Sequence, residues 1–182
     1  MQNKSEDPVE IIARAFKESN GETVDLIVEN KLPGVTLEML DWFFVRTGDY
    51  YTRWHPEDHV SFRWEVPPTK DSRIGSIRVV EEKFGNTPVC KLRMRIEEPG
   101  RSPFGATSGA GWVSILGPDN EPIACSTHQY TATSYGTQER FLFRLPSKTP
   151  EWLIDAIRQH SIEEMGELPR FLPELYKKEN AG

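Results

Sequence analysis

The chain has 182 residues, 37% of them hydrophobic and 27% charged, and carries a formal net charge of −6. That length and composition suit one folded domain with its own core and exclude a disordered chain. The acidic balance, with no Lys/Arg-rich run interleaved with aromatics, excludes a phosphate-backbone partner, so no nucleic acid is expected.

No apolar run reaches membrane-spanning length, so no membrane partner is expected. The opening MQNKSEDPVE is polar where a secretory leader would be apolar. Cys90 and Cys125 form no CxxC pair, and each sits in an apolar, strand-like stretch. They read as buried free thiols in a cytoplasmic protein.

Over residues 7–19, Asp7 and Pro8 stand in N-cap and N1 order, and Ile11, Ile12, Ala15 and Phe16 share one face of a short amphipathic helix. Residues 23–29 read as extended, and Pro33-Gly34 as a turn. Thr36 then caps a second helix to about Arg46, striped by Leu37, Leu40, Phe43 and Phe44. Pro56 disfavours helix at His55, so residues 50–60 read as a turn or an extended entry into a strand.

Strands are predicted over 74–84 and 89–97 around the turn Gly85-Asn86-Thr87-Pro88, with Leu92, Met94 and Ile96 on one face. Further strands follow over 111–116 and 122–131, about the turn at Gly117-Pro118-Asp119-Asn120, and over 137–145. The Pro/Gly-rich stretch 99–111 reads as a long loop. From Pro150 the period becomes helical through Trp152, Leu153, Ala156, Ile157 and His160. Helices, then antiparallel strands, then a long C-terminal helix make an α+β order, and a curved sheet gripping that helix would enclose a pocket.

Four segments concentrate reactive side chains. In QHSIEEMGE, His160 and Glu164 stand at i and i+4, where an imidazole and a carboxylate share a helix face and can converge on one ion. The same spacing also fits an ordinary helix ion pair. YYTRWHPEDHV, residues 50–60, crowds two histidines and two carboxylates among aromatics; it is equally an aromatic plug at a sheet end. IRVVEEKFG places Glu81 beside Glu82 in an apolar strand, so one of them faces inward and must be paired, protonated or metal-bound. THQYTATSYGTQERFLF contains His128, which also reads as a plain strand residue.

Taken together, PGVTLEMLDWFF, YTRWHPEDHV, GSIRVVEEKFG, THQYTATSYGTQERFLF and HSIEEMGELPRFLPELY resemble, in order and over residues 33–176, the diacetylphloroglucinol hydrolases, a family that includes phloretin hydrolases. The resemblance implies a single domain over 1–182, with an N-terminal helix and extended arm (1–32), a helix-grip (START/Bet v-like) core (33–176) and a tail (177–182). It implies a zinc ion held by His59, Glu82, His160 and Glu164, with Glu82 preferred because Glu82-Lys83-Phe84-Gly85 matches the family context. Another divalent metal would also suit two histidines and two carboxylates.

By the same resemblance the activity is hydrolysis of a carbon–carbon bond between an acyl group and a phenolic ring. Tyr51 is expected to orient or protonate the phenol, and His128 to act as general acid/base. The partner is then a small phenolic or aromatic molecule, with room for a homodimer. Trp54 and Trp112 are candidates for an aromatic pocket or for core packing. Two departures stand out: Phe143 replaces a family tyrosine and Phe62 an asparagine, each removing a hydrogen-bonding group. The competing reading is a non-catalytic carrier or sensor of an apolar molecule.

Overall fold

A computed structural model describes residues 5–104 and 112–181. In chain order the elements are helix α1 (Pro8–Glu18), strand β1 (Thr23–Pro33), helices α2 (Leu37–Val45) and α3 (Thr47–Trp54), strands β2 (His59–Val66), β3 (Ile77–Glu82), β4 (Cys90–Ile96), β5 (Trp112–Leu116), β6 (Pro122–Thr133) and β7 (Gly136–Pro146), and helix α4 (Glu151–Glu179). All seven strands pair antiparallel in one sheet, in the order β1-β7-β6-β5-β4-β3-β2.

Local signals set the helix starts. The Asp7 carboxylate accepts from Val9 N–H at 2.8 Å, with Pro8 in the first turn, and the Thr36 hydroxyl accepts from Met39 N–H at 3.2 Å. Each satisfies a donor that the first helical turn leaves unpaired. Alternation sets the inner face of the sheet: Leu26, Val28, Leu92, Met94, Val113, Ile115, Phe141 and Phe143 are buried there. Against that face α4 buries Leu153, Ile157, Met165, Leu168 and Leu172. One long helix held by an antiparallel sheet is the helix-grip architecture.

Three expectations need correction. Residues 50–54 belong to helix α3, because the restriction imposed by Pro56 reaches back only to His55, the C-cap, at φ −137° and ψ 82°. The extended arm expected before residue 33 is an edge strand of the sheet, paired from Thr23 opposite Pro146 to Pro33 opposite Gly136. The tail expected from 177 is helical to Glu179, where α4 ends. Gly111 and residues 105–110 of the predicted loop lie outside the described residues; its described start holds a single 3-10 turn, Pro99–Arg101.

Candidate metal centre

Three elements bring four donors together. His59 opens β2 and stands directly opposite Glu82, the last residue of β3. The register shifts at once, between His59 and Ser61, so Val60 is left out of the pairing. His59 and Glu82 both turn inward, only 3% and 8% exposed. Glu81 points the other way, accepting a hydrogen bond from Ser61 Oγ at 2.7 Å and facing Lys91 at 3.7 Å. Across the core, α4 presents His160 and Glu164 one turn apart.

His59 Nε2 lies 3.4 Å from Glu164 Oε2 and 3.9 Å from Glu82 Oε2, and His160 Nε2 lies 3.8 Å from Glu164 Oε2. Donors about 2.0–2.2 Å from a tetrahedral ion stand roughly 3.3–3.6 Å apart, so these separations are at that spacing or a few tenths beyond it. His59, Glu82 and His160 also meet as a group of potential ligands. His59 Nε2 is buried without a hydrogen-bond partner, an orphan that a cation would satisfy. The other ring nitrogens are engaged: His59 Nδ1 at 3.0 Å from the Tyr51 carbonyl and His160 Nδ1 at 3.1 Å from Asp58 Oδ2. Each fixes the tautomer that leaves Nε2 free to ligate. The donor set fits zinc.

A second group, His55, Asp58 and His160, is also within ligand reach. Its carboxylate is already committed, however, to His160, to Gly85 N–H at 3.3 Å and to Lys83 at 3.5 Å. Asp58 therefore serves better as the acceptor that orients His160.

Electrostatics reflect this crowding of charge. Burial disfavours the His160 cation, but the Asp58 hydrogen bond and the charges of Glu164 and Glu82 outweigh it and push its pKa up to about 9. Glu164 is held below the usual carboxylate range: burial raises it, and His59 and His160 more than offset that. Burial, reinforced by Glu82, drives Tyr51 far up, so its phenol stays protonated. That phenol donates a short hydrogen bond to Glu82 Oε2, while its ring stacks on His59 at 4.0 Å and 2°. Trp54 ties α3 to α4 by donating from Nε1 to the Glu164 carbonyl at 2.7 Å.

Glu82, His160 and Glu164 line a cavity of about 670 Å³, a volume typical of small-molecule sites, and His59 is buried beside them. Tyr51, Trp54, Phe62, His128 and Phe143 also line it. His128, on β6, faces Phe141 across the strand pair and brings Nδ1 to 2.8 Å from Glu139 Oε1. Glu139 is fully buried, and its other oxygen accepts from Asn30 Nδ2 at 2.7 Å. That carboxylate fixes the imidazole and leaves Nε2 to the cavity. Trp112 lies away from this cavity, on the opposite sheet face, with Nε1 donating to the Glu98 carbonyl at 2.8 Å.

The structure thus brings five of the six expected site residues to one cavity, Tyr51, Glu82, His160 and Glu164 at one wall and His128 at another, with His59 buried against the first group. Sequence reasoning missed Asp58 and Glu139. For Glu139 a signal existed, since alternation in TQERFLF puts it on the same face as Phe141 and Phe143.

No curated protein matches the chain. Among solved structures, the crystal structure of Ara h 8.0201 superposes with a TM-score of 0.60 at 11% identity, covering 83% of this chain and 98% of that one. A protein from Nitrosomonas europaea, NE0264, gives 0.55 at 16% identity over 87% and 97%. At those identities the likeness is one of fold, and it agrees with the helix-grip architecture. The DAPG hydrolase PhiG domain model matches residues 16–110, which contain Tyr51, His59 and Glu82 and stop short of His128, His160 and Glu164. That match spans just over half of the chain, which therefore belongs to the DAPG hydrolase family.

Proposed function

We propose that the protein is a metal-dependent hydrolase that cleaves the carbon–carbon bond between an acyl group and a phenolic ring, with zinc held by His59, Glu82, His160 and Glu164. The observation that carries this reading is the buried, unpartnered Nε2 of His59 meeting three further donors at the wall of a cavity that also holds His128. Zinc bound there would supply Lewis-acid polarisation of an oxygen or a water of lowered pKa.

The chain's own residues supply the proton chemistry. The ring carbon bearing the acyl group takes a proton, water adds to the ketone carbon, and the bond breaks with its electron pair going to the ring. The products are the deacylated phenol and a carboxylic acid. His128, held at Nδ1 by Glu139, offers Nε2 to the cavity as the proton carrier. Tyr51 remains a phenol at working pH and orients the Glu82 carboxylate. The apolar walls, among them Phe62, Phe143, Leu92 and Ile115, exclude water from the ring.

The test is elemental analysis of protein purified without added metal, beside His160→Ala, followed by turnover of a panel of acylphenols. Near-stoichiometric zinc and turnover, both lost in the variant, are the expected result. Full zinc occupancy in His160→Ala would sink the proposal. A second reading, a carrier of apolar aromatic molecules, is favoured by the two phenylalanines at positions 62 and 143. It predicts ligand-dependent thermal stabilisation with no turnover.

A further inference from the structure

Arg78 lies on the inner face of β3, four residues before Glu82 and therefore on the same side of the strand. It lines the cavity together with Tyr51 and Val80. Several other guanidinium groups of the sheet are matched to carboxylates: Arg93 to Glu65, Arg144 to Asp25, and Arg95 to Glu97. Among the described residues Arg78 has no carboxylate within ion-pair distance. Its one hydrogen bond runs from Nη2 to the Met94 sulfur at 3.7 Å, a weak acceptor, and its Nε is buried with no partner. Glu82 and Glu164 attract it from farther off, but both are turned to the histidines. Arg73 lines the same cavity and adds a like charge; it donates only to the Phe44 carbonyl, at 3.4 Å, and lies over the Trp64 ring.

A cation enclosed by apolar side chains without an anion is costly, and the cost is relieved when an occupant brings the anion. A guanidinium fork suits a two-oxygen group best, and also suits a single oxyanion. We infer that the cavity takes an aromatic ligand bearing an anionic oxygen group, a ring carboxylate or an ionised phenol, and that Arg78 binds that group. The aryl-ketone part of this ligand rests on the hydrolase reading; the anionic part rests on Arg78 alone. Four strand residues separate Arg78 from Glu82 by roughly 13 Å between Cα atoms, a span that the arginine side chain and one substituted ring together fill. The ligand is thereby oriented with its acyl group toward the histidines and its anion toward β3.

The test is calorimetric titration of the protein as purified, repeated after metal removal, with two probe pairs. The para isomers acetylbenzoate and acetylbenzamide differ in a ring carboxylate against a neutral amide. Trihydroxyacetophenone, titrated at about pH 6 and about pH 9, reports on ionisation of a ring hydroxyl. Wild-type protein is expected to favour one anionic form at least about tenfold in both preparations. Arg78→Met should abolish that preference, and Arg78→Lys should keep part of it. The first probe pair identifies a carboxylate ligand and the second a phenolate.

Equal affinities for charged and neutral forms in wild type overturn the inference. So does a preference that persists in Arg78→Met, which would locate the anion at the metal donors. If Arg78→Met does not fold, the wild-type ratios and Arg78→Lys still decide. Turnover separates the two readings: an anion preference dependent on Arg78 with no acylphenol hydrolysis removes the hydrolase and leaves this inference standing.

Discussion

Glu164→Gln removes one of the four proposed zinc donors while leaving the backbone carbonyl that accepts from Trp54. A structural zinc site is worth roughly 10–16 kcal/mol in apparent binding free energy, so one donor of four carries about 3 kcal/mol. The expected loss in zinc affinity is therefore about 100- to 1000-fold. Zinc supplied at about 100 times the wild-type dissociation constant should stabilise the native state by about 2.7 kcal/mol, which for a chain of this length raises Tm by about 5–11 °C. At the same zinc concentration the variant sits at or below its own dissociation constant and should gain no more than about 2 °C. Chelator competition gives the affinities and thermal unfolding gives the shifts. Glu163→Gln is the control, because Glu163 is one residue away on α4 but more exposed, and bonds to Gln159 at 2.7 Å. A full wild-type shift in Glu164→Gln, or an equal loss in Glu163→Gln, refutes the four-donor geometry.

Tyr51→Phe keeps the ring that stacks on His59 but deletes the hydroxyl that donates to Glu82. Zinc content should stay within about tenfold of wild type in affinity while acylphenol turnover falls by about 100-fold; equal turnover would remove Tyr51 from the reaction. Glu139→Ala strands His128 Nδ1 and Asn30 Nδ2 without their acceptor, so urea unfolding should show a loss of about 2–4 kcal/mol with zinc binding unchanged. In the metal-free protein His160 carries a folded-state pKa of about 9, above its unfolded value of about 6.5. Its contribution to stability is fully present below about pH 6.5 and is lost as pH rises through about 9, amounting to at most about 3 kcal/mol. Urea midpoints of metal-free protein at about pH 6 and about pH 10 check this, and the difference should shrink in Asp58→Asn.

What was legible in the sequence was local or periodic. Asp7-Pro8 and Thr36 marked the starts of their helices because caps act through neighbouring residues. The alternation of Leu92 and Met94 marked a strand with one buried face, since the pleat has period two. Helix α3 was obscured because aromatics and a following proline read as a turn, whereas the proline constrains only His55. Strand β1, at the edge of the sheet, was read as an arm because its alternation, with Asp25, Glu29 and Lys31 outside, resembles a solvated segment until β7 pairs with it. Spacing alone left Glu81 and Glu82 open. The bulge after His59 is the feature that aligns Glu82 with the histidine, and no local residue pattern announces it. Asp58 and Arg78 escaped notice because their roles come from what surrounds them: a histidine ring from α4 in one case, the lack of a carboxylate within ion-pair distance among the described residues in the other.

The two halves of the proposed metal centre have different origins. His160 and Glu164 are neighbours by helix geometry and would share a face even in an isolated α4. His59 and Glu82 are neighbours by sheet register, and they meet only when β2 and β3 pair with the bulge in place. The helix-grip fold joins the halves by pressing α4 against the sheet, so the site reports on correct packing as well as on ligand identity. A ligand in the adjoining cavity then meets polar groups at separate walls: the metal donors and Tyr51, the His128–Glu139 pair, and Arg78 farther along β3. With Phe62 and Phe143 contributing no hydrogen bond, those poles, together with Arg73 and the unpartnered Tyr130 hydroxyl that also line the cavity, can orient an aromatic ring. Selectivity should accordingly follow where a ring carries its acyl and anionic groups more closely than how many hydroxyls it bears.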